Sequence, residues 1–195
     1  AEVTDATESE RKFGPYSSIM RDAKFAVTME EDNVLPSDGL LKLLAAIYTC
    51  PDCGGEVGAK RQGAELVPVT DESWTCADCG SRGYDAVSGL YWMKTDPPTP
   101  MAFGDPSNPD DYTPRRVGDA VRHGAVLDVN GIAMGFAVWR KSLFAQVSRP
   151  WFATRDECTQ DIHFCKKARV EAGARFGVHC GVRVGHMDVK TGRIT

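Results

Sequence analysis

The chain has 195 residues, 42% of them apolar and 26% charged, with a formal net charge of −4 at neutral pH. That length suits one ordinary domain with a small addition, and the composition is that of a water-soluble globular protein. There is no basic block, so nucleic acid is not an expected partner. No apolar run approaches the ~20 residues of a membrane-crossing helix, and no basic-then-apolar leader opens the sequence, so the expectation is a cytoplasmic protein without membrane contact.

The opening "AEVTDATESERK" is charge-rich, and residues 1–20 are expected to be a polar, frayed segment. "AKFAVTM" (23–29) reads as a buried strand, and it ends in three acids, Glu30-Glu31-Asp32. On an extended segment Glu30 and Asp32 are one alternation apart and point the same way, while Glu31 points elsewhere. Asp32 and then Glu30 are therefore the candidate ligands of a divalent cation, the alternative being a solvated turn before Pro36. "PSDGLLKLLAAIY" (36–48) predicts a helix capped by Ser37, with Leu40, Leu41, Leu43, Leu44, Ile47 and Tyr48 on its apolar face.

Four of the seven cysteines form two knuckles, "CPDCGG" and "CADCG". Cys50, Cys53, Cys76 and Cys79 have the spacing of a structural zinc site, and in a reducing compartment such pairs bind metal. The 22 residues between the pairs predict two short strands, in "AELVPVT" and "ESWTC", joined by a turn at Asp71. Residues 50–80 thus read as a zinc ribbon whose folding energy comes largely from Zn²⁺. It either contacts a partner or staples an insertion. Its acids outnumber Lys60 and Arg61, which favours the staple.

"YDAVSGLYWMK" (84–94) reads as a further strand, and "TDPPTPMAFGDPSNPDDYTPRR" (95–116) as a long irregular loop of the kind that often serves as a lid. "GAVLDVNGIAMGFAVWRKSLFAQV" (124–147) reads as a strand, a turn spaced by Gly131 and Gly135, and a helix. "TQDIHFCKKARVEAG" (159–173) predicts a helix capped by Thr159 and stopped at Gly173, with Asp161 in its first turn. "RFGVHCGVRVGH" (175–186) closes with a strand and His186. Strands alternating with helices imply an α/β fold.

The order of these parts resembles the GT-A glycosyltransferases, in particular the family-2-like enzymes of bacteria and phages. "VTMEEDNVLPSDGLLKLL" resembles the acidic metal-binding motif (D-x-D in most members) and its helix. "YDAVSGLYW" looks like the next core strand, and "GIAMGFAVWRKSLF" like the turn and helix that shape the donor-sugar pocket. "PWFAT" with "TQDIHFCKKARVEAG" is similar to the E-D-x-x-F-C helix that carries the catalytic carboxylate, and "VRVGHMD" to the closing G-H element. The likeness covers residues 20–195, with the ribbon inserted. Glutamate stands at position 30 where aspartate is commoner, and Gln160-Asp161 replaces Glu-Asp.

The resemblance implies a partial GT-A mixed sheet with flanking helices, formed by residues 21–49 and 81–195. It implies an inverting, metal-dependent transfer from a nucleotide-sugar donor to an acceptor hydroxyl. Mn²⁺ or Mg²⁺ would be held by Glu30, Asp32 and His186, with Asp161 as the base. Each has a plainer reading: His186 as a packed or surface histidine, Asp161 as an acid that stabilises its helix. Trp151 and Phe152 would stack on sugar or pack in the core, and Gly131 and Gly135 would admit the donor or simply turn the chain. Few residues precede the acidic motif where the family has its nucleotide-binding β-α units. The expectation is that a preceding segment or a partner chain completes that half, or that it is missing. The rival reading is a non-enzymatic binding module, in which the ribbon recognises protein or nucleic acid on an α/β scaffold; a glycan-binding remnant is a third.

Overall fold

The computed structural model describes residues 23–62, 65–68, 74–154, 158–187, 192 and 194. Residues 1–20, the Asp71 turn and Asp188 lie outside them.

The elements, in chain order, begin with β1 (Phe25–Met29), β2 (Asn33–Val34), α1 (Gly39–Ile47), β3 (Ala59–Gln62) and β4 (Glu65–Pro68). Next come β5 (Ala86–Leu90), β6 (Trp92–Met93), β7 (Thr99–Pro100), β8 (Ala102–Phe103) and α2 (Gly118–His123). The chain closes with β9 (Val126–Val129), β10 (Gly131–Ile132), β11 (Phe136–Arg140), α3 (Lys141–Gln146), α4 (Gln160–Ala172), β12 (Phe176–Arg183) and β13 (Gly185–His186). Five strands form one sheet in the order β1-β11-β5-β12-β9. Only β5 and β12 run parallel; the other neighbours are antiparallel, so the sheet is mixed.

Both faces of this sheet are covered, which explains the continuous apolar runs of β5 and β11. Alternate residues serve opposite layers. Phe136, Val138 and Val87 meet Leu43, Ala46 and Ile47 of α1. Ala137, Trp139, Ala86 and Phe176 meet Leu143 of α3 and Phe164 and Ala168 of α4. The β12 register shifts after His179, and the shift sends Cys180 and Val182 to opposite layers.

Several expectations change. Residues 136–140 are a central strand and not part of a helix; "FAVW" is too apolar for period alone to distinguish the two. β1 is an edge strand, with Val27 and Met29 exposed, rather than a buried one. α1 begins at Gly39; Asp38 occupies the cap position, no side chain caps the helix, and Asp38 pairs with Lys42 at 2.8 Å. Its Leu40 and Leu41 face solvent. The ribbon hairpin is 59–62 against 65–68, earlier in sequence than expected. The 95–116 stretch is not structureless: β7 pairs with β6, and β8 with β10. The α4 boundaries agree with the sequence reading, with Gly173 in the left-handed conformation at its end.

Candidate metal centres

Four thiols meet where the sequence spacing places them. The sulfurs of Cys50, Cys53, Cys76 and Cys79 all lie within 4.8 Å of one another. Cys50 Sγ is 3.6 Å from Cys79 Sγ, and Cys53 Sγ is 3.5 Å from Cys76 Sγ. A tetrahedron with Zn–S bonds of about 2.3 Å has S···S edges of about 3.8 Å, so the spacing fits zinc. It is far too long for a disulfide. The knuckles repeat the same local structure. Gly54 and Gly80, each at φ +74°, donate to the carbonyls of Cys50 and Cys76. The Gly55 and Asp78 amides donate to Cys53 Sγ and Cys76 Sγ. Hydrogen bonds from Ser81 lower the Cys79 thiol, which favours the thiolate form that a metal binds. These four residues form a possible zinc site.

The ribbon is tied to the sheet from several sides. Arg175, at the entry to β12, makes a two-pronged contact with Asp52 of the first knuckle at 2.9 and 2.8 Å, and also holds Asp128 of β9 at 2.7 Å. Trp74 packs against Phe25 and Tyr48, with ring centres 5.6 and 5.5 Å away.

The second cluster is built around the acidic segment after β1. Residues 30–33 make a tight turn, closed by the Asn33 amide on the Glu30 carbonyl at 3.3 Å. Glu30 and Asp32 therefore converge because the chain turns, not because it alternates. β13 pairs with β2 and sets His186 opposite Asn33, while the Met187 amide donates to the Asp32 carbonyl. One ligand atom each from Glu30, Asp32 and His186 lies within 4.8 Å of the others. Glu31 is not in the cluster, and neither are His163 and His179.

His186 Nε2 is 3.0 Å from Asp32 Oδ2, and Nδ1 is 3.3 Å from the Trp92 carbonyl. With an ion bound, a proton on Nδ1 donated to that carbonyl would leave the Nε2 lone pair for the metal, the arrangement metal-binding histidines use. Lys94, which the sequence reading did not single out, donates from Nζ to Asp32 Oδ2 and to the Met187 carbonyl, both at 3.0 Å. That hydrogen bond, aided by His186, lowers the Asp32 carboxyl below the usual carboxylate range. Burial and then the Asp32 charge raise the Glu30 carboxyl. The charge of Asp161, from the first turn of α4, adds to that rise, so the candidate base lies within electrostatic reach of the cluster. Asp161 Oδ1 accepts from the Thr159 hydroxyl and from the Ile162 amide.

The four pocket candidates fall in three places. Gly135 borders the acidic turn: its carbonyl accepts from the Glu30 amide at 2.8 Å and from Asn33 Nδ2 at 2.6 Å. Its amide donates to the buried Tyr91 hydroxyl at 2.7 Å, and a Cβ there would lie 2.8 Å from that oxygen. Gly131 lets β10 pack on α4, where a Cβ would lie 2.9 Å from Ile162. Phe152 is core, packed on Phe164 at 5.0 Å, and Trp151 packs on Phe144 at 5.2 Å. Both border an apolar cavity of about 260 Å³ with Ala26 and Thr28, to which no residue of the acidic cluster contributes.

Among the described residues, no helix is long and apolar enough to cross a membrane. No protein-family model matches the chain, and no curated protein matches it. Among solved structures, the chain is similar to the crystal structure of A197 from STIV, with a TM-score of 0.56 and 16% identity over 94% of this chain and 67% of that one. At this identity the likeness is one of fold: a mixed α/β sheet that here carries a four-cysteine cluster.

Proposed function

We propose that the chain is the catalytic core of a metal-dependent, inverting glycosyltransferase of GT-A type, stapled by a structural zinc ribbon. The observation that carries this reading is the meeting of Glu30 and Asp32 with His186, more than 150 residues later, beside the charge of Asp161. Two carboxylates and an imidazole suit Mn²⁺ better than an all-oxygen Mg²⁺ site. Glu30, Asp32 and His186 would hold the ion, and Lys94 would fix the Asp32 carboxylate. When bound, the ion neutralises the diphosphate of a nucleotide-sugar donor. Asp161 would take the proton from the acceptor hydroxyl as that oxygen bonds to the anomeric carbon. Asn33 and Tyr91 hold the Gly135 peptide against the acidic turn, which fixes the backbone from which Glu30 and Asp32 project. The docking of the ribbon through Asp52 and Trp74 supports a structural role for its zinc.

The test is Mn²⁺ binding by calorimetry, together with hydrolysis of a panel of sugar nucleotides. Asp32→Ala is expected to abolish saturable Mn²⁺ binding and lower turnover on the order of 10²–10³-fold, as for loss of a charge-stabilising group. Asp161→Asn is expected to keep Mn²⁺ binding and lose turnover. Unchanged turnover in Asp32→Ala would remove the assignment.

A further inference from the structure

A cavity of about 480 Å³ lies between the second half of α4 and the loop that leads to Tyr112. Its lining includes Pro109, Asp110 and Tyr112 from the loop and Lys166, Arg169 and Val170 from the helix. None of Glu30, Asp32 and His186 borders it, so it is separate from the acidic cluster. The volume is that of a small-molecule site, which runs from about 300 to 1,000 Å³. Both walls are preformed. Positions 166, 169 and 170 share one face of α4, being three and four residues apart. Opposite them, Asn130 Nδ2 holds the carbonyls of Asp105, Asn108 and Asp111. Arg169 ties the walls together: its Nη1 donates to the Pro109 carbonyl at 2.9 Å and to the Tyr112 hydroxyl at 3.4 Å.

The described lining carries two cations, Lys166 and Arg169, against one acid, Asp110. That balance of +1 stands on a chain whose net charge is −4. The contacts that orient these cations are neutral groups. Arg169 uses a carbonyl and a hydroxyl, and Lys166 Nζ sits 4.8 Å from the centre of the Tyr112 ring. Neutral partners place a cation without cancelling its charge, which then draws an anion to the cavity. Lys166 is exposed and Val170 is 86% exposed, so the helix wall is open to a ligand. Pro109, Val170 and the Tyr112 ring supply apolar surface for C–H groups. The Asp110 carboxylate only accepts, so its partner must be a donor such as a hydroxyl. A sugar that carries an acidic group presents all three: an anion, a C–H face and a rim of hydroxyls. A neutral sugar lacks the first, and a bare anion lacks the other two.

We propose that this cavity binds an acidic sugar, a pyranose bearing a carboxylate or a phosphate, with the anionic group at Lys166 and Arg169 and hydroxyls toward Asp110. In the transferase reading it would hold a distal unit of the acceptor, since Arg169 lies eight residues, ~12 Å, along α4 from Asp161. Sugar binding itself does not rest on that reading.

The experiment follows the backbone amide signals of the zinc-loaded full chain by NMR, without added Mn²⁺ and at ionic strength held constant with chloride. Glucuronate is titrated in one arm and glucose 6-phosphate in the other, with glucose, acetate and inorganic phosphate as controls. The expected result is saturable shifts at residues 110–112 and 166–174, with affinity about tenfold above every control, the worth of one hydrogen bond to a charged group. A response to glucuronate alone, to glucose 6-phosphate alone or to both supports the site and names its anionic group. Lys166→Met is expected to weaken binding about tenfold. Val170→Glu, which adds an acid at an exposed position of the same wall, is expected to abolish it. Acidic sugars binding no more tightly than the controls would overturn the proposal, as would an affinity unchanged in either folded variant. Loss of donor hydrolysis with sugar binding intact would remove the transferase reading alone.

Discussion

Asn130 shows what a single buried side chain does in this molecule. It is fully buried, and its amide nitrogen donates to the carbonyls of Asp105, Asn108 and Asp111 at 2.9, 2.7 and 2.8 Å. Two hydrogens serve three acceptors, so the 105–111 turn is gathered on one amide group. Asn130→Asp would put an acceptor against three acceptors. It is expected to lower the unfolding free energy by on the order of 2–4 kcal/mol, and Asn130→Ala by about 1–3, measured by urea denaturation. Equal stability of all three chains would show that the turn stands without it. Neither Asn130 nor Lys94 was legible as a key residue in the sequence, because their partners lie 19 to 25 and 62 residues away. Asp32 was legible, because three adjacent acids at a strand end are unusual in themselves. A turn, and not the alternation of an extended segment, aims Glu30 and Asp32 together.

At the scale of elements, the ribbon was the most readable part. Its ligands sit in two short, self-contained knuckles whose geometry local spacing dictates. Its hairpin was placed too late in sequence, since strand propensity is weak where no core selects a register. Metal removal tests the staple. Cys76→Ser, or a strong chelator, is expected to reduce zinc from one per chain to near none by elemental analysis. The ribbon then loses a binding free energy on the order of 10 kcal/mol. Because Trp74 packs on Tyr48 and Phe25, its environment changes with it, and tryptophan emission is expected to shift to the red. Full retention of the native emission after zinc is gone would mean the ribbon holds without metal. β11 was hidden because it is covered on both faces, while α4 was legible from its Gly173 stop and first-turn acid.

In the whole molecule, stability is expected to follow the sandwich of helices around the sheet. Phe164 is fully buried between Trp139, Phe144 and Phe152, with ring centres 5.6, 5.3 and 5.0 Å away. Phe164→Ala is expected to cost about 3–5 kcal/mol by denaturant titration. Leu41 is 70% exposed, and Leu41→Ala is expected to change stability by no more than about 0.5 kcal/mol. A reversed order would place the core on the outer side of α1.

The sequence by itself determined the α/β class, the four zinc-spaced cysteines, the α4 helix and the acids that follow β1. All of these rest on local spacing, residue type or the order of motifs along the chain. Only the tertiary structure decided that β1 lies at the sheet edge, that β11 runs through the centre, and that β13 delivers His186 to the 30–33 turn. It also decided which cations answer which acids: Lys94 goes to Asp32, Arg82 to Asp85 and Arg175 to Asp52. Such pairings depend on distances between segments far apart in the chain, and burial sets how much each charge matters. Neither quantity is carried by local pattern.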